Sequence, residues 1–558
     1  MPLQFDDDEV KNKIDRVRAK EQEEALERHA GELGFPYLVI HSNTVEGDAL
    51  RLVPEEKARQ AKLLPFKVEN KKLNIAVADP DNPDVINITK TLRAMGYEII
   101  IGIASDKTLT ECFEAYKNLS FATTSVTGAV DITEEALTEY TNKIKTIADV
   151  KIILDEIIAK KDRRLSQILE IILAGAIATL ASDIHIEPEE KSVRLRYRLD
   201  GMLYDVFSFE NKVFNLILSR IKLVSGLKLN IKFEAQDGRF SIVSGGEEIE
   251  IRTSIVPSGY GEAIVLRVLN PKSINVSMES LGINTMLLPI LKELISRPQG
   301  MLLTTGPTGS GKTTTLYTFL KTVYTPEVNI MTIEDPIEYK LKGIVQTQVE
   351  EKKGYSFVEG LRSALRHDPD IIMVGEIRDE ETAGTAIDAA LTGHLVFSTL
   401  HTNNAAGAFT RLIDLGVNPK VITSAITAVL AQRLVRRLCP YCRKEIKPEG
   451  ADGQLIEKIV GEMKKKADVE YKGVIWAPVG CEKCNGTGYK GRIAVYETIL
   501  ADRAIEDAVR QNPSEREIRQ AAAPQKLFDM REDGILKVIN GVTSLSELKQ
   551  NINLAEPT

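Results

Sequence analysis

At 558 residues the chain is too long for a single hydrophobic core, and a length of this order points to three or four domains. Its 43 % apolar and 27 % charged content excludes a disordered chain and a membrane-embedded one. A net charge of −8 argues against a nucleic-acid surface spread over the whole molecule, so no nucleic-acid partner is expected.

The longest nearly uncharged stretch, 171–182, is too short to span a bilayer, and the start Gln4-Phe5-Asp6-Asp7-Asp8-Glu9 is the opposite of a basic signal peptide. A cytoplasmic protein is expected, reaching a membrane only peripherally and through partners. Dense charge at helical spacing over 9–34 predicts a solvated helix. A small α/β domain follows within 1–117. It has a helix over 54–64, a strand over 72–77, a turn at 78–83, a helix over 86–95, a strand over 97–103 and a closing helix over 109–117. Cys112 in that last helix reads as a buried apolar residue. Residues 118–130, rich in Ser, Thr and Gly, and the weakly patterned charged residues after them are assigned to a linker over 118–164.

A second domain is assigned to 165–280. It opens with an apolar helix over 165–180, and period-two alternation over 193–199 puts Arg194, Arg196 and Arg198 on one face of a strand. Asp200-Gly201 is a hairpin signal, and strands over 249–255 and 263–269 flank a turn at 257–261. Those two strands carry Arg252 and Arg267. They are either solvated strand charges or donors that a mostly β domain offers to a nucleotide across a cleft.

The third domain, 281–558, alternates strand and helix as a parallel sheet requires, with strands over 301–305, 329–333, 371–374 and 395–400. The first of these runs into Gly306-Pro307-Thr308-Gly309-Ser310-Gly311-Lys312-Thr313-Thr314 and then a helix over 313–324, the context of a phosphate loop. Its glycines let backbone N–H groups turn inward on a polyphosphate, Lys312 reaches the β- and γ-phosphates, and the Thr313 hydroxyl ligates Mg²⁺. All nine residues are assigned to binding ATP.

Ligands of parallel sheets sit beyond the carboxyl ends of the strands. Past the other strand ends lie Glu334-Asp335, Glu376 and His401-Thr402. Gly375 stands where an Mg²⁺-ligating Asp is common, so the metal is expected on Thr313, water and a carboxylate from Glu334, Asp335 or Glu338. Glu376 is the first choice to activate the attacking water and Glu334 the second, while His401 is a γ-phosphate sensor or a core histidine. His394 either does the same or ends its helix. Ser356-Phe357-Val358-Glu359 is a capping box. On the helix it opens, Arg362 and Arg366 lie i, i+4, as surface charges or as arginines supplied across a subunit boundary.

Cys439-Pro440-Tyr441-Cys442 and Cys481-Glu482-Lys483-Cys484 provide four thiolates in two C-x-x-C pairs, the ligand set of a closed, structural Zn²⁺ site. The metal would fasten the insert between them, giving a zinc module over 436–495.

These motifs resemble the type II/type IV secretion ATPase superfamily, in its pilus-extension and type II secretion branch. The resemblance is carried by Ala181-Ser-Asp-Ile-His-Ile-Glu-Pro188, Gln236-Asp-Gly-Arg239, the phosphate loop, Ile333-Glu-Asp-Pro-Ile-Glu338 and Leu361-Arg-Ser-Ala-Leu-Arg366. Val374-Gly-Glu-Ile-Arg-Asp379, the stretch from Gly393 to Asn403, both cysteine pairs and Met530-Arg-Glu-Asp-Gly534 extend it. It implies a multidomain α/β chain in which a RecA-like phosphate-loop NTPase domain follows a PAS-like α+β middle domain and a small α/β N-terminal domain, with a zinc-binding insert. It further implies a homo-hexameric motor whose ATP-driven domain rotation acts on an inner-membrane platform protein. Arg252, Arg267, Arg362 and Arg366 would then contact nucleotide across domain or subunit boundaries. Pilus assembly is the function expected, with type II secretion the alternative and a nucleic-acid translocase further off. Some N-terminal domains of this kind bind cyclic di-GMP through a paired Arg-Leu-Gly-type motif that this chain does not display clearly, which leaves that ligand open.

Overall fold

The computed structural model describes residues 23–116, 134–159, 165–271 and 276–555, apart from 24, 41–43, 51, 70–71, 95 and 114–115. Two compact units, 1–123 and 124–558, make up the chain. Positions 118–133 and 160–164 of the linker expected over 118–164, and most of the charged helix expected over 9–34, lie outside the described residues; positions 25–32 of that helix are helical.

The first unit is built on strands β1 (Leu63–Glu69), β2 (Lys72–Val77) and β3 (Glu98–Ile103), paired in that order. β1 and β2 form an antiparallel hairpin, whereas β2 and β3 run parallel across the helix α2 (Pro83–Ala94). Helices α1 (Glu55–Ala61) and α3 (Asp106–Phe113) complete the layer. The expected helix over 54–64 stops early because Lys62 turns left-handed at φ 49° and the apolar run Leu63-Leu64-Pro65-Phe66 enters the sheet. Cys112 is buried as expected, its thiol directed at the Ile40 carbonyl 3.6 Å away.

The second unit overturns part of the linker assignment. Helices α4 (Glu134–Lys143) and α5 (Ile147–Ala159) occupy 134–159. Leu137, Val150 and Leu154 are fully buried against the apolar helix α6 (Leu165–Ala178) and the sheet behind it. That sheet has six antiparallel strands, β4 (Asp183–Pro188), β5 (Val193–Leu199), β6 (Met202–Phe209), β7 (Gln236–Ser244), β8 (Glu247–Ser258) and β9 (Gly261–Leu269), in the order β6-β5-β4-β9-β8-β7. Gly175 lets α6 sit against it, since a Cβ there would fall 2.7 Å from Val150 and 2.8 Å from the Tyr197 hydroxyl. That hydroxyl donates to the Ile172 carbonyl at 2.6 Å. Helix α7 (Asn211–Val224) connects β6 to β7.

Helix α8 (Leu287–Ile295) leads into a third region with a seven-stranded sheet of β10 (Gly300–Thr305), β11 (Ile330–Glu334), β12 (Val345–Gln348), β13 (Ile371–Val374), β14 (Leu395–Leu400), β15 (Ile426–Leu438) and β18 (Tyr489–Leu500). Their order is β12-β11-β13-β14-β10-β15-β18, and only β18 runs antiparallel to its neighbour. The central strands are buried along their whole length because both faces are covered, as parallel sheets require. Alternation sends Met301 and Leu303 into one core with Ile333 and Ile372, and Leu302 into another with Phe319 and Phe397. The stretch between Cys439 and Cys484 forms the short hairpin β16 (Lys444–Ile446) and β17 (Ile475–Ala477) around the helix Gly450–Met463, whose Ile456, Ile459 and Met463 join the first core. Among the described residues, no helix is long and apolar enough to cross a membrane.

Candidate active site and metal centre

The phosphate-loop glycines adopt the conformation their spacing implies, with φ of 149° at Gly306, 78° at Gly309 and 92° at Gly311. At Gly306 a side chain is excluded twice over, because a Cβ would fall 2.6 Å from both the Gln432 carbonyl and the Ser310 hydroxyl. The loop opens helix α9 (Lys312–Val323), whose N-terminal N–H groups are the natural anion donors. Lys312 is buried, and its ammonium donates to the Gly306 carbonyl at 2.8 Å and the Pro307 carbonyl at 3.3 Å. Burial pulls its pKa down; the carboxylate of Glu376 opposes that shift and Arg433 adds to it. Thr313, at the start of the helix, is exposed, and Thr314 half-buried.

Two residues that the sequence reading missed hold this loop in place. Thr305 ties the end of β10 to β14 by donating to the Leu400 carbonyl at 3.1 Å and sharing a 2.6 Å contact with the Thr402 hydroxyl. Gln432 on β15 is fully buried and donates its amide to the Ser310 carbonyl at 2.7 Å. A lone Gln within the apolar run Val429-Leu430-Ala431 to Leu434-Val435 was the available signal. Gln432→Leu, which keeps the volume but cannot donate, is expected to weaken binding of a fluorescent ATP analogue about tenfold, the worth of one buried hydrogen bond.

The acidic strand ends separate into two environments. Glu376, just past β13 and half-buried, pairs with Arg378 on one oxygen, and its other oxygen lies 2.9 Å from His401 Nε2. Arg378 also lies 3.9 Å from Asp335. Glu334, at the end of β11, is 2 % exposed. It accepts hydrogen bonds from the Tyr317 hydroxyl, the Thr332 hydroxyl at 2.5 Å and the Gln346 amide at 3.0 Å. Burial raises its pKa against those three donors. His394 accounts for itself within its own chain end: its Nδ1 lies 3.0 Å from the Ala389 carbonyl, closing helix α11 (Glu380–Leu391).

Arg252 bridges the six-stranded sheet to the loop after β11, with contacts to Glu338 at 3.2 Å and the Ile337 carbonyl at 2.5 Å. Arg267 stands opposite it on β9, half in solvent, 3.2 Å from Asp183. Arg362 and Arg366 do not share one helix as expected. Helix α10 (Phe357–Ala364) ends first, and Arg366 falls in the tighter turn Leu365–His367. Arg362 pairs with Glu359 and Glu381, and Arg366 donates to the Ser363 hydroxyl. Ser356 caps α10 by accepting from the Glu359 N–H, while Glu359 turns to Arg362 instead of closing the box.

All four paired cysteines meet, their sulfurs within 4.8 Å of one another. Adjacent sulfurs lie 3.9, 3.8 and 3.7 Å apart. A tetrahedral ion with metal–sulfur bonds of about 2.3 Å requires sulfurs about 3.8 Å apart, so the cluster has the dimensions of a four-thiolate metal site. The N–H groups of Gly480, Cys481 and Gly488 point at its sulfurs from 3.1 to 3.3 Å, as they do around thiolates.

Residues 159–550 match the family described as type II/IV secretion system protein, and residues 33–121 match the MshEN domain. The type IV pilus assembly ATPase PilB of Myxococcus xanthus is 39 % identical over 523 residues, which are 93 % of this chain and 89 % of that one. The protein of the same name from Thermus thermophilus is 38 % identical over 93 % of this chain, which spans 56 % of its length. Type II secretion system protein E of Aeromonas hydrophila is 44 % identical over 390 residues, 70 % of this chain and 76 % of that one.

Proposed function

This chain belongs to the type II/IV secretion system protein family and is an ATPase of that family, and from that premise we propose that it is the motor of type IV pilus assembly. One observation carries the choice within the family. The match to a pilus assembly ATPase continues through the N-terminal unit to cover 93 % of this chain. Type II secretion is the second reading, favoured by the higher identity of 44 % over the shared 390 residues. Deletion in the source organism separates them: loss of surface pili with secretion intact supports the first, and retained pili with secreted enzymes trapped inside supports the second.

In this reading the seven-stranded sheet is RecA-like, the six-stranded sheet is PAS-like, and the two rotate against each other in a cytoplasmic homo-hexamer docked on an inner-membrane platform protein. The phosphate loop binds ATP. Its N–H groups and Lys312 take the phosphates, and Thr313 with Asp335 takes Mg²⁺, which supplies charge neutralisation when bound. Glu376 holds the attacking water and His401 orients Glu376. Glu334 is the other carboxylate of the site, and Arg252, Arg267, Arg362 and Arg366 stabilise the developing charge from across domain or subunit boundaries. For the N-terminal unit, the MshEN match makes cyclic di-GMP the ligand to titrate.

Cys439, Cys442, Cys481 and Cys484 hold Zn²⁺. The second knuckle is also a docking point. Asn485, left-handed at φ 50°, accepts the Ile147 N–H at 3.0 Å, and the Gly491 N–H donates to Asp200 at 2.8 Å. About one zinc per chain is expected by elemental analysis. Its removal by a chelator is expected to speed hydrogen exchange over 439–488 and at the start of α5, with α9 unaffected. Absence of bound metal would remove the four-thiolate assignment.

A further inference from the structure

On the six-stranded domain, the loop between α7 and β7 presents an apolar side chain to solvent while its backbone is held from beneath. Phe233 is 90 % exposed and Leu229 43 %. The loop is not loose. Lys222, 2 % exposed and paired with Glu262 at 2.6 Å, donates its ammonium to the Ile231 carbonyl at 2.6 Å. Gln236 clasps the same loop from the other side, accepting the Lys228 N–H at 2.9 Å and donating to the Lys228 and Ile231 carbonyls at 3.1 Å. Gly238 admits it closely, since a Cβ there would fall 2.3 Å from the Ser225 carbonyl. A buried ion pair is expensive to desolvate, and here it fixes the shape of a surface loop whose tip is Lys228, Leu229, Lys232 and Phe233.

A groove of complementary character lies on the ATPase domain. It has a volume of about 520 Å³ and runs between α11 and the turn that leads from helix α12 (Ala406–Asp414) to helix α13 (Pro419–Ala425). Ile387, Val417 and Val421 give it an apolar floor, and Glu380 and Asp388 rim it with negative charge. At Gly384 the helix wall is open, for a Cβ there would meet nothing within 4 Å. The helix that forms the groove starts directly after Glu376, Ile377 and Arg378, and its N-cap is Asp379.

We infer that the Phe233 loop of one copy seats in the α11–α13 groove of the next copy, with Lys228 and Lys232 meeting Glu380 and Asp388. Among the described residues nothing covers Phe233, and the lysines of the loop oppose the acids on the groove rim head to tail, the heterologous geometry that closes a ring. Seating there presses on the helix that begins four residues after the hydrolytic carboxylate Glu376, so assembly and turnover are coupled. The inference rests on the ring-shaped assembly proposed above.

The test is the mass distribution of the full chain, measured by mass photometry with Mg²⁺ and a non-hydrolysable ATP analogue. The variants are Phe233→Ala, Lys228→Glu with Lys232→Glu, and Glu380→Lys with Asp388→Lys. Each is expected to raise the concentration for half-assembly at least about tenfold, while melting temperature and nucleotide binding stay at wild-type values. Combining the two charge reversals in one chain is expected to restore assembly. Phe233→Ala, at a 90 % exposed position, remains informative where a charge reversal melts early. Variants that assemble as wild type does, or a combined reversal that restores nothing, overturn the pairing while leaving the ring. Binding to phosphatidylglycerol vesicles that is lost in Phe233→Ala, with normal assembly, assigns the loop to a membrane and also overturns it. A wild-type chain that stays monomeric with nucleotide removes the assembly itself.

Discussion

Replacing Lys312 with alanine is expected to cut ATP hydrolysis at least about a thousandfold and to abolish measurable nucleotide binding, with the fold retained. The ammonium is a buried cation at the mouth of the loop, 2.8 Å from the Gly306 carbonyl. A triphosphate brings several negative charges to that point. In a partly buried site each lost preorganised donor costs about two to three powers of ten in rate. Alanine also leaves the Gly306 and Pro307 carbonyls without the ammonium, a local cost of about 1–3 kcal/mol. That cost is small beside two cores packed on both faces of the sheet, so circular dichroism and melting should stay near wild type. Lys312→Arg keeps the charge but not its reach and should bind weakly without turning over. Phosphate release by Lys312→Ala at more than a tenth of the wild-type rate would show that the nucleotide sits elsewhere.

How much of this was legible depended on how local the signal was. The phosphate loop was legible because a glycine at φ 149° pressed against Gln432 admits no substitute, so the conformation is written in residue type. β13 is legible to the residue because Ile371–Val374 is an uninterrupted apolar run, and β14 because its apolar run is broken only by Ser398 and Thr399, whose hydroxyls donate to the Val374 and Gly375 carbonyls. The cysteine cluster was equally plain, because its ligands come in two short pairs. The helices within 134–159 were missed for a different reason. Val150, Leu154 and Ile157 do repeat at helical spacing, but Asp149, Lys151, Asp155 and Glu156 interrupt them, and much of the core they join, such as Ile251 and Ile264, is distant in sequence. Arg366 was misplaced because helix α10 tightens before reaching it, a decision made by packing at Ala364 and by the turn toward Asp368 at φ 50°. Gln432 stands out in its apolar strand, but its role does not, because the partner is the carbonyl of Ser310, 122 residues away.

Glu376→Gln is expected to bind ATP with near wild-type affinity and to hydrolyse it about 10²–10⁴-fold more slowly, the range for loss of a positioned base. The environment of each acid makes the contrast with Glu334 sharp. Glu376 is half-buried, and glutamine can keep an oxygen near His401 Nε2 while losing only the charge and basicity. Glu334 is closed off at 2 % exposure, and three donors converge on its two oxygens. An amide there would turn an N–H₂ toward at least one of those donors, and burying that mismatch costs about 1–3 kcal/mol. Glu334→Gln should therefore lower the melting temperature and disturb β11 and Tyr317, with binding and hydrolysis falling together. Binding by a fluorescent analogue, phosphate release and melting, read side by side, separate the two acids. A Glu376→Gln enzyme that releases phosphate at close to the wild-type rate would move the base to Glu334. Slow release with unchanged binding would instead leave the stalled, nucleotide-loaded state in which a ring of such subunits can be trapped.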